Sequence, residues 1–196
     1  MSAASRPSFV TPEEYLALER AATQAKHEFV NGRIYALAGA SRAHNTIAIN
    51  LARIISTQLR GRACQAFGSD MRVKVASTGM YTYPDLVVAC GEPRFEDGQV
   101  DTLLDPTLIV EILSPTTEAY DRGDKFAHYR RMGSLQEYVL VAQHRMLVER
   151  FTRQGDSWVF STASEPGMVV ELPSIGCTLA LDEVYERVEF PVDGER

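Results

Sequence analysis

A chain of 196 residues with 45% apolar and 23% charged side chains has the composition of a globular protein, long enough for one core that buries about 70% of its unfolded surface. The net charge of −6 argues against a protein that coats nucleic acid non-specifically, because such binding grows with the phosphates neutralised; a local basic groove stays open. No apolar run approaches the roughly 20 residues of a membrane span, residues 1–8 lack the order of a signal peptide, and the cysteines Cys64, Cys90 and Cys177 lack CxxC spacing, so that no membrane insertion, no disulfide framework and a reducing cytoplasm are expected.

The pattern opens at Thr11-Pro12-Glu13-Glu14, a helix start with Thr11 as N-cap, proline at the first helical position and acids facing the positive dipole end. Residues 26–37 read as two strands around Asn31-Gly32, a strong two-residue hairpin signal, with Glu28 on the first arm. After Gly39-Ala40-Ser41, apolar residues at Ile47, Leu51, Ile54 or Ile55 and Leu59 predict the longest helix over residues 42–60, with His44 and Asn45 at its opening and Gly61 to stop it. Residues 64–67 and 71–75 read as a strand pair around Gly68-Ser69-Asp70. A strand over 83–89 follows, and the acid-rich stretch 91–106 reads as a solvated hairpin tip.

Leu108-Ile109-Val110-Glu111-Ile112-Leu113 is an apolar strand with one carboxylate at its centre. Residues 121–132 then predict a helix, ended by Gly133-Ser134, and short strands follow at 137–141, 146–152, 157–161 and 168–171. Trp158 is expected to pack, 179–185 to form a short helix and 191–196 to fray. Neither a repeat nor a linker interrupts the chain, which reads as one domain over 1–196 with an ordered core about 11–188.

Three residues stand out against this background. Asp85, after Pro84, is ordinary by itself, since proline and aspartate both serve strand starts and turns. Glu111 is different: an acid flanked by apolar runs is expensive to bury without a metal, a base or a hydrogen-bond partner. Lys125, fourteen positions later (125 − 111), could be a helix-surface lysine paired with Asp121, yet its helix starts from the sheet edge where Glu111 points, and a lysine stem can cross apolar surface. Together two acids and a base would hold a divalent cation and an activated water. His44 could be a surface or capping histidine or a proton-transfer group, and Glu28 and Asp70 could be turn acids or second-tier site residues. No Ser-His-Asp order, GxGxxG or Walker loop is present.

Glu28-Phe29-Val30-Asn31-Gly32, Ala38-Gly39-Ala40-Ser41 with His44, Tyr83-Pro84-Asp85, Val110-Glu111-Ile112-Leu113-Ser114-Pro115 and Asp121-Arg122-Gly123-Asp124-Lys125 with Tyr129 resemble, in order and spacing, the Uma-two family of proposed endonucleases, a former domain of unknown function. The resemblance spans roughly residues 11–152, and the family belongs to the PD-(D/E)XK, or restriction-endonuclease-like, superfamily. It implies a mixed α/β (α+β) fold with a central mixed sheet flanked by helices, here with an added N-terminal hairpin and C-terminal strands. It further implies hydrolysis of nucleic-acid phosphodiesters, with DNA the expected substrate, dependent on Mg²⁺ or Mn²⁺ held by Asp85 and Glu111, and by analogy a homodimer.

The superfamily pattern places a lysine two residues after the second acid, where this chain has Leu113; Lys125 stands where the family moves that lysine onto the next helix. Asp85, Glu111, Lys125 and His44 are therefore the expected catalytic residues, with Arg42, Arg72, Lys74 and Arg122 as candidate receivers of flanking phosphates. The competing expectation is a nuclease fold kept as a non-catalytic DNA-binding or assembly module; metal binding would separate the two.

Overall fold

Leu108–Leu113 forms β8, buried along its whole length near the middle of a six-stranded sheet in the computed structural model, which describes residues 9–190. Strand alternation splits its side chains: Leu108, Val110 and Ile112 face one hydrophobic layer, and Ile109 and Leu113 the other. The sheet runs β11-β10-β9-β8-β6-β3, from β3 (Cys64–Gly68), β6 (Leu86–Cys90), β9 (Glu137–Ala142), β10 (Val148–Gln154) and β11 (Ser157–Ala163). Only β8 and β9 pair in parallel within it; β3–β6, β6–β8, β9–β10 and β10–β11 are antiparallel.

The first layer belongs to α2 (Arg42–Gln58), which buries Ile47, Leu51, Ile54 and Ile55 as its spacing predicts. Ser41 caps it by accepting the His44 N–H, and Gly61, at φ +74°, turns the chain away after it. β12 (Val169–Leu172), β13 (Cys177–Ala180) and α5 (Leu181–Val184) complete this side. β13 takes the place of the first residues of the helix expected over 179–185, and α5 is correspondingly short.

The opposite layer carries a second sheet, β2-β1-β5-β4-β7, built from β1 (His27–Val30), β2 (Arg33–Ala36), β4 (Arg72–Val75), β5 (Met80–Thr82) and β7 (Thr102–Leu103). The β1–β2 hairpin turns at Asn31 and Gly32, both at positive φ as a two-residue turn of this hand requires. α1 (Pro12–Ala21) begins with a full capping box between Thr11 and Glu14 and packs Tyr15 against Phe29 and Tyr81.

Several expectations are corrected. Residues 64–75 do not form a hairpin: β3 pairs with β6 and β4 with β5, because the turn at Gly68-Ser69-Asp70 passes the chain from one sheet to the other. Turn chemistry encodes a reversal, not the partner that follows it. The strand expected over 83–89 begins three residues later, as β6, and Tyr83-Pro84-Asp85 separates it from β5, which the sequence pattern does not anticipate. The stretch 91–106 is anchored rather than solvated: β7 pairs with β4, while Glu96, Asp97, Asp101 and Asp105 bind Lys74, Arg20, Arg72 and Arg94.

The expectation that the cysteines form no disulfide is also overturned, since Cys64 and Cys90 stand opposite one another in the β3–β6 ladder and are bonded. Antiparallel pairing brings together residues 26 positions apart that spacing could not associate. Cys177 is free and buried. Trp158 packs edge-on to Phe126 with the Arg153 guanidinium 4.5 Å from its ring. Among the described residues no helix is long and apolar enough to cross a membrane. The readings made for residues 1–8 and 191–196 lie outside the described residues.

Candidate active site

The β6–β8 register pairs Leu86 with Val110, so Asp85, one residue before β6, stands beside Glu111 at the same end of the sheet. Asp85 is held there by the backbone of the neighbouring strand: its Oδ2 accepts the Ile112 N–H at 2.7 Å. The Tyr83-Pro84 step interrupts strand pairing before it, which frees the Asp85 side chain to turn across the strand end.

Between β8 and β9 the chain crosses over through a helical segment with a change of pitch. α3 (Glu118–Tyr120) leads into a π-helical turn (Asp121–Lys125) and then α4 (Phe126–Tyr129). The helix expected over 121–132 therefore begins earlier, ends earlier and is wound wider in its middle. Asp121, Lys125 and Tyr129, spaced by four, all come to face inward and are buried. Single π turns of this kind recur at functional sites.

Lys125 is the centre of the charge cluster. Its Nζ lies 2.9 Å from Glu111 Oε1, 3.1 Å from Glu28 Oε1 and 3.5 Å from Asp121 Oδ1, with only 5% of the residue exposed. Glu28 reaches it from β1, fixed by the Thr82 hydroxyl and the Tyr83 N–H. The Tyr129 hydroxyl donates to Glu111 Oε1 at 2.9 Å. His44, from the first turn of α2, places Nε2 3.2 Å from Asp85 Oδ1. Glu28, His44, Asp85, Glu111, Asp121 and Lys125 line one open cavity of about 380 Å³, together with the exposed Ala38-Gly39-Ala40-Ser41.

The structure thus brings Asp85, Glu111, Lys125, His44 and Glu28 together and leaves Asp70 out. The Asp70 side chain is 93% exposed and does not line the cavity, although its partner Lys26 does. The cations read as phosphate receivers are engaged elsewhere. Arg42 pairs with Glu189, Arg72 is buried against Asp101 and Tyr83, Lys74 binds Glu96, and Arg122 binds Glu118 and Glu149. Sequence reasoning used Asp121 only as a surface partner for Lys125 and did not single out Gln143, which lines the cavity. The four-residue spacing of Asp121, Lys125 and Tyr129 was the available signal for the first.

Electrostatically the cavity is short of positive charge. Four carboxylates, Glu28, Asp85, Glu111 and Asp121, share it with two ammonium groups, those of Lys125, which three of them touch, and of Lys26, which is paired with Asp70. Burial pushes the Glu111 carboxyl well above the ordinary range, with Lys125 opposing and the neighbouring acids adding to the shift; Asp121 is raised in the same way. Burial alone would lower Lys125, but Glu111, Glu28 and Asp121 outweigh it and hold the ammonium well above its usual value. Tyr120, buried and near Glu28, is pushed up to about 12.

Among the described residues no three His, Cys, Asp or Glu side chains form a ready metal cage. The donor set nonetheless suits a hard divalent cation. Two adjacent carboxylates converge on an open cavity, and among the described residues every hydrogen bond to Glu111 ends on Oε1, leaving Oε2 free. A cation bound by two protein carboxylates and completed by water is the usual arrangement for Mg²⁺.

Comparison with known proteins places this geometry in a lineage. Residues 12–182 match the model of a family described as "Uma2: Putative restriction endonuclease". Two proteins of Synechocystis sp. (strain PCC 6803) are similar: slr1290, 35% identical over 181 residues covering 92% of this chain and 94% of its own, and sll1609, 37% identical over 162 residues covering 82% and 91%. Both are described as uncharacterized. A crystal structure from Anabaena variabilis, described as a "putative nuclease belonging to DUF820", has the same fold, with a TM-score of 0.73 over 90% of this chain and 97% of that one at 21% identity. With the family pattern running through both the strand that carries Glu111 and the turn that carries Lys125, the chain belongs to the Uma2 family of restriction-endonuclease-type proteins.

Proposed function

We propose that the protein is a PD-(D/E)XK-type endonuclease that hydrolyses DNA phosphodiester bonds with Mg²⁺ or Mn²⁺, working in the cytoplasm, where DNA is met, as a homodimer of single-domain chains with the core at 11–188. The observation that carries the reading is the excess of carboxylates over cations at an open cavity where Asp85 and Glu111 stand side by side. Such an excess is costly without a cation, and a restriction-endonuclease family membership supplies the chemistry that uses one.

Asp85 and Glu111 would hold the metal, which when bound polarises the phosphoryl group and acidifies water. The protein's own groups do the rest. Lys125, an ammonium among acids, donates hydrogen bonds to the attacking water and offsets charge on the phosphorane; it does not accept the proton. Tyr129 and Lys125 together fix the Glu111 carboxylate. His44, touching Asp85, would accept the proton that the water loses as it adds to phosphorus, and the leaving oxygen, freed as its P–O bond breaks, would take a proton from solvent. Glu28 keeps Lys125 in place from the far side.

The test is cleavage of a plasmid and of single- and double-stranded oligonucleotides with Mg²⁺, Mn²⁺ or EDTA, beside Glu111→Ala. Metal-dependent cleavage lost in Glu111→Ala is the expected result. A wild type that binds metal but cuts none of these substrates removes the nuclease reading. The engagement of Arg72, Lys74 and Arg122 in internal ion pairs favours a second reading, a silent nuclease-fold module, for which neither metal binding nor cleavage is expected.

A further inference from the structure

Another part of the cavity lining, beside the acids, has a chemistry of its own. Gln143 follows β9 directly, and since Ala142 pairs with Leu113 in the parallel ladder, it sits at the carboxyl ends of β8 and β9. The residue is 9% exposed and lines the cavity. Its Oε1 accepts the Ser41 hydroxyl at 2.5 Å, and Ser41 Oγ in turn accepts the His44 N–H at 3.1 Å. This relay orients the amide: the Ser41 lone pair serves the cap of α2, its proton goes to the Gln143 oxygen, and the Gln143 NH₂ is left for the cavity. Among the described residues that NH₂ meets no acceptor.

Beside it stands the amino end of α2, a helix of 17 residues with no acidic residue in its first turn to neutralise it. Ala38, Gly39, Ala40 and Ser41 bring backbone to the same part of the lining. Positive helix end and unpaired amide donors thus share the cavity with the carboxylates.

We propose that Gln143 and the amino end of α2 form a docking subsite for a backbone phosphate adjacent to the one that is cut, with Gln143 as a positioning residue. The proposal rests on the nuclease reading for the identity of the substrate. A polyanion entering a cavity with four carboxylates needs groups that attract it, and these donors add to Lys26 and Lys125, whose charges are already paired with acids. Straddling the donors and the acids sets the register of the strand: one phosphate is drawn to the amide donors while its neighbour meets Asp85, Glu111 and Lys125.

The test separates the subsite from the fold and from cleavage. In Gln143→Glu the carboxylate still accepts the Ser41 hydroxyl, so the scaffold bond survives while the donor becomes an anion. The full chain, ¹⁵N-labelled and in Ca²⁺ to hold substrate without turnover, is titrated with a short DNA duplex, with dimethyl phosphate and with free nucleosides. The Gln143 side-chain amide pair is identified by its disappearance in Gln143→Glu. It is expected to shift with the duplex and with dimethyl phosphate but not with nucleosides. Gln143→Glu is expected to melt at the wild-type temperature yet bind the duplex about tenfold more weakly, the loss expected for a charge-assisted hydrogen bond. Equal binding by the two proteins with an unmoved amide pair overturns the subsite, as does a response to nucleosides alone or a wild type that binds no duplex. Binding as expected without any cleavage in Mg²⁺ overturns the nuclease reading and leaves the phosphate subsite standing.

Discussion

At the scale of the residue, the acids and the lysine make opposite demands that single substitutions can separate. Asp85 lies outside the Lys125 cluster and is tied to Ile112 N–H and His44, so Asp85→Ala should fold normally. Calorimetric titration with Mn²⁺ should give heat with the wild type and none with Asp85→Ala; equal heats would remove the metal site. Lys125→Met should lower hydrolysis by about 10²-fold or more, as when a charge-stabilising group is lost. It should also cost about 3–5 kcal/mol of stability at neutral pH, because three buried carboxylates lose their counter-ion. The pH sign follows from burial, which raises Glu111 and Asp121 above their unfolded values. A carboxyl of that kind contributes stability that is whole below its unfolded value, near pH 4, and lost as pH rises through the folded one. Urea melts of Lys125→Met should therefore approach the wild type as pH falls; a pH-independent deficit would indicate lost packing instead of lost charge. Leu113 is fully buried in the layer below Glu111, which closes the route of restoring a lysine there, since it would bury an ammonium among Val87, Ile109 and Leu140. Glu111 was legible in the sequence because apolar neighbours on both sides announce burial. Asp121 was not, because an acid four residues before a lysine has the same pattern on any solvated helix.

At the scale of the element, the π-helical turn does what neither residue type nor spacing announces. It widens the helix between Asp121 and Lys125, which with Tyr129 are buried on the side that meets Glu111 and Lys125's other partners. Deleting the exposed Asp124 should return the segment to α-helical winding and rotate what precedes it by about 100° relative to α4. Helical content by circular dichroism is expected to persist while Mn²⁺ binding and cleavage fall together. Retained activity would show that the wide turn is incidental. The elements themselves were largely readable: α1 from its proline and cap, the β1–β2 hairpin from Asn31-Gly32, α2 from its spacing and β8 from its unbroken apolar run. Pairing was the part that local pattern does not carry. The Gly68-Ser69-Asp70 turn looks the same whether the chain folds back on β3 or departs to a second sheet, and the opposition of Cys64 and Cys90 depends on that choice.

At the scale of the whole molecule, the second sheet is fastened by charges at its far side. Arg20 on α1 binds Asp97 and Asp101, and buried Arg72 binds Asp101 as well. The Arg20 hydrogen bond, opposed by partial burial and helped by Thr102 and Arg72, holds the Asp101 carboxyl far below the usual carboxylate range. A depressed folded value contributes stability present above the unfolded value and lost as pH falls through the folded one, so melting temperature should decline below about pH 4. In Asp101→Asn that decline should be shallower, from a lower starting point; an unchanged slope would place the acid sensitivity elsewhere. The topology also sets when the activity can exist. Glu28, His44, Asp85, Glu111 and Lys125 are gathered from five separate places along the chain, and β8 gains its parallel neighbour only when residues 137–142 are present. A polypeptide still emerging from the ribosome holds both acids long before it holds the strand that seats them. Such a chain would pass through synthesis beside the cell's nucleic acids as an inert thread, and its chemistry would begin only after most of it had been made.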